Sequence, residues 1–367
     1  NNNIRYPRGG DKMETIIITL DNGEKKEYTN GIKLKEIIEN IKQKREDTVV
    51  GALYNNKMIS LEDSITKSGK LSIYDLNTKE GNKIYEKGLL YLFEVSAVEL
   101  LGKDTKIVVK HSIDKGIYCT INKKITENDI SAIKEIMRTK VKENIPFTKI
   151  ETSKNEAIEY FKSKKREDKV RTLFYVTADY VTLYKLGNTY NYLIGDLPYS
   201  TKSLKYFDLS LIKNNGVVVR FPSIYDNNKI VKYTHHENYF NSLEEYSVWG
   251  NNLNINNLGE LNEFITKNNA GDIIQLSEIM QDYKLLSVAE QIVLNKEDYK
   301  VILLSGPSSS GKTTTANAIL NNPEYTKTNG TIIFDGEDIT ESRTDEIARK
   351  GIFMSFQLPE EIPGIST

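Results

Sequence analysis

Val301-Ile302-Leu303-Leu304-Ser305-Gly306-Pro307-Ser308-Ser309-Ser310-Gly311-Lys312-Thr313-Thr314 is the stretch on which the reading of this chain turns. A short apolar run leads through a loop bounded by two glycines to Lys-Thr at the start of a helix-like segment. A continuously apolar run is how a strand buried on both faces of a parallel sheet reads. Strand, then GxxxxGK, then Thr opening a helix is the pattern of a phosphate-binding loop in its required setting.

The chemistry follows from what a triphosphate needs, which is many donors in a small concave space. The cradle is Gly306, Pro307, Ser308, Ser309, Ser310 and Gly311. Backbone N–H groups converge there, and the helix that follows adds a partial positive charge at its start. Gly306 and Gly311 allow a backbone approach that a Cβ would block. Lys312 is placed to reach the outer phosphates, and the Thr313 hydroxyl to ligate Mg²⁺, with Thr314 completing the motif. ATP and Mg²⁺ are the expected cofactors.

Composition bounds the rest. The chain has 367 residues, enough for one to three domains, and is 38% hydrophobic and 28% charged. No apolar run approaches the ~18 residues of a membrane span, and no secretory pattern opens the sequence. The net charge of −1 gives no overall pull toward nucleic acid. Cys119 is the only cysteine, which excludes an intrachain disulfide and a cysteine-built zinc site. A cytoplasmic location without membrane contact is expected. Residues 1–12 lack periodic apolar spacing and precede the first methionine, Met13. They are expected to be an extraneous leader, with Arg8-Gly9-Gly10 translated from a purine-rich run.

Outward from the loop, residues 251–295 read as a helical connector. Residues 258–265 and 273–293 look helical, and Ile273, Leu276, Ile279, Met280, Tyr283, Leu286 and Ile292 are predicted to line one side of the second helix. Residues 77–250 read as mixed α+β. A helix is predicted over 89–101 and a strand over 106–110. Thr126 with Asp129, and Ser153 with Glu156, are helix-start signals. Residues 217–220 suggest a buried strand, and the mixed charges of 162–169 a solvated helix end. Residues 13–76 give a hairpin around Asp21-Asn22-Gly23, a helix from Leu34, then strands over 49–53, 57–59 and 70–74, which is a β-grasp order. Residues 296–367 hold the loop, a strand over 331–334, a helix near 345–349 and an apolar strand over 351–356.

Two resemblances meet in this chain. The stretches VVGALYNN (49–56), SGKLSIYDLN (68–77), HSIDKGIYC (111–119), EDKVRTLFY (167–175), PSIYD (222–226) and LLSGPSSSGKTT (303–314) resemble the long bacterial uridine kinase-related nucleoside kinases. That family implies a TGS domain over 13–76, a threonyl-tRNA synthetase-like domain over 77–250, and then a kinase P-loop. After the loop, TANAILNNPEYTKTNGTIIFDGEDITESRTDEIARKGIFMSFQLPEEIPGIS (315–366) is similar to the ABC-type ATPase of the Suf iron–sulfur assembly machinery. In that resemblance Gln357 falls at the Q-loop position that senses Mg²⁺ and water. The two meet at Gly311-Lys312-Thr313-Thr314, a word both families share, as in a join between two genes. The fold class implied is an α+β N-terminal region, a β-grasp TGS domain plus a synthetase-like domain, followed by a truncated α/β P-loop NTPase domain.

The resemblances also say what is missing. A kinase's acceptor-binding acid and basic lid are expected after the loop, where the sequence has changed family. The ABC signature, Walker B carboxylates and switch histidine are expected beyond Thr367. Neither phosphoryl-transfer set is complete, so catalytic residues stay unassigned. Asp335 matches the turn context of the ABC pattern and not a metal-holding acid. Synthetase editing domains carry an HxxxH pair and a later Cys and His. Here Glu94 and Val98 occupy the first positions, and Tyr192-Leu193-Ile194-Gly195 the later ones, so editing is not expected. His111 reads as a polar residue near a strand end, His235-His236-Glu237 as a polar loop, and Cys119 as a small core hydrophobe.

Three functions are thus open. The first is transfer of phosphate from ATP to a nucleoside such as uridine, impaired by the incomplete domain. The second is a non-enzymatic module that touches RNA or a regulator. The third is an ABC ATPase fragment working with Suf scaffold proteins.

Overall fold

The computed structural model describes residues 14–41, 49–59, 63–213, 215–299, 312–323 and 330–352, with side chains for all of these except 225 and 312–314. Residues up to Ile273 form one compact unit and those from Ile274 a second.

The first unit opens with a hairpin of β1 (Thr15–Leu20) and β2 (Lys25–Thr29). The pairing runs from Thr15 opposite Thr29 to Thr19 opposite Lys25, and Gly23 at φ 82° supplies the left-handed turn residue. β3 (Ile32–Lys33) leads into α1 (Leu34–Ile41). β4 (Val49–Tyr54), β5 (Lys57–Ile59), β6 (Ser64–Ile65) and β7 (Gly69–Asp75) follow. The five-stranded sheet has the order β2-β1-β7-β4-β5, with β1 parallel to β7 and every other pair antiparallel. Alternation along β1 sends Ile16, Ile18 and Leu20 inward, where they meet Leu34, Ile37 and Ile38 of α1. Each segment read from sequence over 13–76 falls on an observed element.

α2 (Lys79–Leu101) is the central element of the unit. It starts ten residues before the sequence suggested, because the Thr78 side chain accepts from the Gly81 N–H and caps it. Its inward face, Tyr85, Leu89, Tyr91, Leu92 and Phe93, is almost wholly buried. β8 (Ile107–Ile113) and β9 (Gly116–Ile121) form a hairpin. α3 (Glu127–Glu143) opens on the Thr126–Asp129 capping box. β10 (Thr148–Ser153) runs into α4 (Lys154–Ser163), whose Ser153–Glu156 capping box also matches the sequence reading. α5 (Glu167–Phe174), β11 (Tyr180–Leu186), β12 (Thr189–Asn191), β13 (Asp208–Ile212) and β14 (Gly216–Arg220) complete the body. They make a three-stranded sheet, β10-β11-β12, and a four-stranded one, β13-β14-β9-β8. β14 reads GVVVR and is buried throughout.

α6 (Glu237–Asn252) is held by Phe240, which packs edge-on against Tyr118 at 5.1 Å. α7 (Leu258–Lys267) lies against α5. Its Gly259 is buried so close to α5 that an added Cβ would stand 2.6 Å from Arg171 Cβ. α8 (Ala270–Leu294) spans the unit boundary, and none of its residues is buried. Of the residues read as its apolar side, Leu276, Ile279, Tyr283 and Leu286 are exposed and Ile273, Met280 and Ile292 half-buried, while Ile274, Leu285 and Val288 elsewhere on the helix are exposed as well.

The second unit contains α9 (Lys312–Ile319), the hairpin of β15 (Ile333–Phe334) and β16 (Glu337–Asp338), and α10 (Thr344–Arg349). Ile339 and Ile347 are buried beside them. The strand expected over 331–334 is shorter than predicted. The one expected over 351–356 lies mostly outside the described residues, as does the leader at 1–12. No helix among the described residues is long and apolar enough to cross a membrane.

Close packing of α2 can be tested at Gly88, where an added Cβ would lie 2.5 Å from Pro198 Cδ. Alanine in mid-helix is ordinarily worth up to about 1 kcal/mol over glycine, yet Gly88→Ala is expected to lower stability by about 1–3 kcal/mol through overpacking. Urea unfolding measures the sign.

Candidate functional site

Two places carry candidate chemistry, one in each unit. In the second unit, Lys312 of the loop motif lies on α9, as the motif requires of the residue that ends it. The first turn of a helix leaves its N–H groups without intrahelical partners, which is the feature a phosphate uses. The far end of α9 is anchored. Asn317 is 7% exposed, and its Oδ1 accepts from Asn322 Nδ2 at 3.3 Å. Asn321 Nδ2 donates to the Ser342 carbonyl at 2.9 Å, tying the helix end to the segment before α10. Gly306, Pro307, Ser308, Ser309, Ser310, Gly311 and Gln357 lie outside the described residues, as do the side chains of Lys312, Thr313 and Thr314. Asp335 sits at φ 51° between β15 and β16, which agrees with the turn reading.

In the first unit, Glu94 stands in an ion-pair network. Glu94, on the partly buried flank of α2, receives Arg166 Nη1 on Oε1. Its Oε2 accepts from Asn191 Nδ2 at 2.8 Å. Arg166 turns its Nε and Nη2 to the two oxygens of Asp168, both at 3.0 Å. Lys169 Nζ donates to the Tyr192 carbonyl at 2.9 Å. Val98, one turn beyond Glu94, is half-buried, and Gly195 stands against Lys87 instead of this cluster.

Electrostatics fixes the charges of this group. Burial works against the Arg166 cation, but the hydrogen bonds and charges of Asp168 and Glu94 outweigh it and raise its pKa further. Burial also works against the Asp168 anion, yet Arg166 wins and holds that carboxyl below its ordinary value. Lys169 goes the other way. Burial lowers its pKa, and the Glu94 charge opposes the shift without cancelling it. Cys119 is fully buried, and burial, followed by the charges of Glu94 and Glu86, pushes its thiol up to about 12, so no thiolate nucleophile is available.

The sequence treated 162–169 as a solvated helix end. That needs correction at Arg166 and Lys169, which turn inward to partners distant in sequence. Lys162 and Lys164 are exposed, as that reading expects. The local pattern held no signal for the difference, because the partners lie on α2 and just after β12.

The remaining candidates are held locally. His235 lies between Tyr233, whose hydroxyl is 2.7 Å from Nδ1, and Glu237, whose Oε2 is 2.6 Å from Nε2. His236 occupies the N-cap position of α6 without a side-chain cap bond. His111 lies inside β8 beside a register shift, its ring 5.3 Å from that of Tyr118. Among the described residues, no group of three His, Cys, Asp or Glu side chains could hold a metal ion.

Comparison with known proteins finds different relatives for the two ends of the chain. Residues 289–367 match the ABC transporter family. The N-terminal half is homologous to threonine–tRNA ligases. That of Caldanaerobacter subterraneus subsp. tengcongensis is 30% identical over 203 residues, covering 54% of this chain and 31% of the ligase. That of Syntrophomonas wolfei is 27% identical over 193 residues, covering 52% and 30%. That of Thermotoga maritima is 28% identical over 198 residues, covering 53% and 30%. The chain thus spans about a third of the length of the curated relatives it matches.

The network makes two predictions. Glu94→Ala leaves Arg166 partly unpaired and is expected to cost about 2–4 kcal/mol, read as a lower urea midpoint. Asp168 has its pKa depressed on folding, so its contribution is present above the unfolded value near 3.9 and is lost as pH falls through the folded value. Below about pH 4, Asp168→Asn is therefore expected to flatten the acid-induced fall in stability.

Proposed function

We propose that residues 306–314 bind Mg²⁺–ATP, with Lys312 on the outer phosphates and Thr313 on the metal. The observation that carries this is that Lys312, the last residue of the GPSSSGK word, lies on α9. The ABC transporter match over 289–367 supports the same nucleotide. The triphosphate would lie on the first-turn N–H groups of α9, where helix and loop both favour an anion.

The finer reading of the first unit is a TGS-like β-grasp followed by a synthetase-like domain without editing chemistry. The β2-β1-β7-β4-β5 sheet crossed by α1 supports the former. Glu94 and Val98, at the positions where the resemblance expects two histidines, support the latter.

For the reaction, the words before the loop favour phosphoryl transfer to a nucleoside such as uridine. Those after it favour the ABC ATPase of Suf assembly, with Gln357 sensing Mg²⁺. In this chain the two halves of the machinery come from different patterns, so the expected outcome is nucleotide binding without efficient nucleoside turnover. The likeness to threonine–tRNA ligases favours RNA contact as a second role for the first unit. A tRNA gel shift that weakens with salt would support it.

The test is titration calorimetry of the 367-residue chain with ATP. Binding that requires Mg²⁺ and weakens at least about tenfold in Lys312→Ala is expected. Equal binding by wild type and variant would remove the assignment. Radiolabelled phosphate appearing on uridine at ordinary enzymatic rates, on the order of 1 per second or faster, would overturn the expected impairment.

A further inference from the structure

α8 leaves Leu276, Ile279, Tyr283, Leu286 and Val293 exposed, Tyr283 by 71% and Val293 by 67%. A helix so apolar is ordinarily covered, because a row of large side chains in water is an association site. The spacing indicates by what. Positions 276, 279, 283, 286, 290 and 293 alternate by three and four, the seam of two supercoiled helices, with Glu290 its one polar member. Ile274, Leu285 and Val288 lie on the other side of the helix.

We propose that two copies of this chain pair antiparallel through α8. A two-fold axis between Lys284 and Leu285 sets Leu276 of one copy opposite Val293 of the other. It also sets Tyr283 opposite Leu286 and Ile279 opposite Glu290. Such a contact is self-complementary and closes at two copies. Charge selects the direction. A parallel pair would force both Glu290 carboxylates into one layer, whereas the antiparallel pair separates them by about 16 Å along the axis.

The area is sufficient. With roughly 100 Å² still exposed on each seam side chain, pairing covers about 1,000 Å² over both copies, the lower bound for a specific interface. A contact of that size gives a concentration-dependent dimer with a dissociation constant on the order of micromolar.

Sedimentation equilibrium of the full chain between about 1 and 100 µM tests this. A rising dimer fraction is expected, with Leu286→Lys at least about tenfold weaker and Glu290→Leu tighter. Leu285→Lys, on the other side of the helix, should leave dimerisation unchanged, and circular dichroism checks that each variant stays folded. Direction is read by mixing Leu276→Cys copies with Val293→Cys copies, both carrying Cys119→Ala. Oxidation should join the two kinds to each other. A monomer throughout, or association that survives Leu286→Lys, overturns the proposal, and disulfides formed only within each kind overturn the antiparallel arrangement.

Discussion

Burial of α2 is the constraint on which the larger unit depends. A helix of 23 residues with Tyr85, Leu89, Tyr91, Leu92 and Phe93 almost wholly removed from water must satisfy its polar atoms inside the protein. Tyr85 does so by donating to the Tyr206 carbonyl at 2.7 Å and accepting from the Tyr206 N–H at 2.8 Å. Tyr91 donates toward the carbonyls of Thr189 and Tyr184, at 2.8 and 3.1 Å. These bonds tie α2 to the segments before and within its flanking sheets. They also fix where Glu94 emerges, since it follows Phe93 on the same rigid turn. A side chain placed by so many contacts cannot drift, and Arg166 has a fixed carboxylate to pair with.

That pairing belongs to a wider network. Glu94 spends its two oxygens on Arg166 and Asn191, and Arg166 binds Asp168 as well as Glu94. An ion pair of this kind holds geometry better than it adds stability, because desolvation offsets much of the attraction. It locks α2, α5 and the end of β12 into one arrangement.

The sequence was most legible where the determinants are local. The Asp21-Asn22-Gly23 turn and the boxes at Thr126 and Ser153 were readable because donor and acceptor sit within three residues. β14 was readable because a run of three valines is buried on both faces. The inward turn of Arg166 and Lys169 was not, because Glu94 and Tyr192 are distant in sequence. The early start of α2 was missed because its cap is a lone threonine without a glutamate partner. For α8 the apolar pattern was visible, but periodicity shows that a face is apolar and not what covers it. At the nucleotide site the motif was clear from sequence, and the structure adds the start of its helix and the anchoring of that helix by Asn317 and Asn321.

The loop is expected to hold a triphosphate at the first described turn of α9. Amide hydrogen exchange over residues 312–319, with and without Mg²⁺–ATP, tests it most directly. Slower exchange in the first turn of α9 is expected only when both metal and nucleotide are present, because phosphate oxygens accept from N–H groups at a helix start. Unchanged exchange at saturating Mg²⁺–ATP would contradict it.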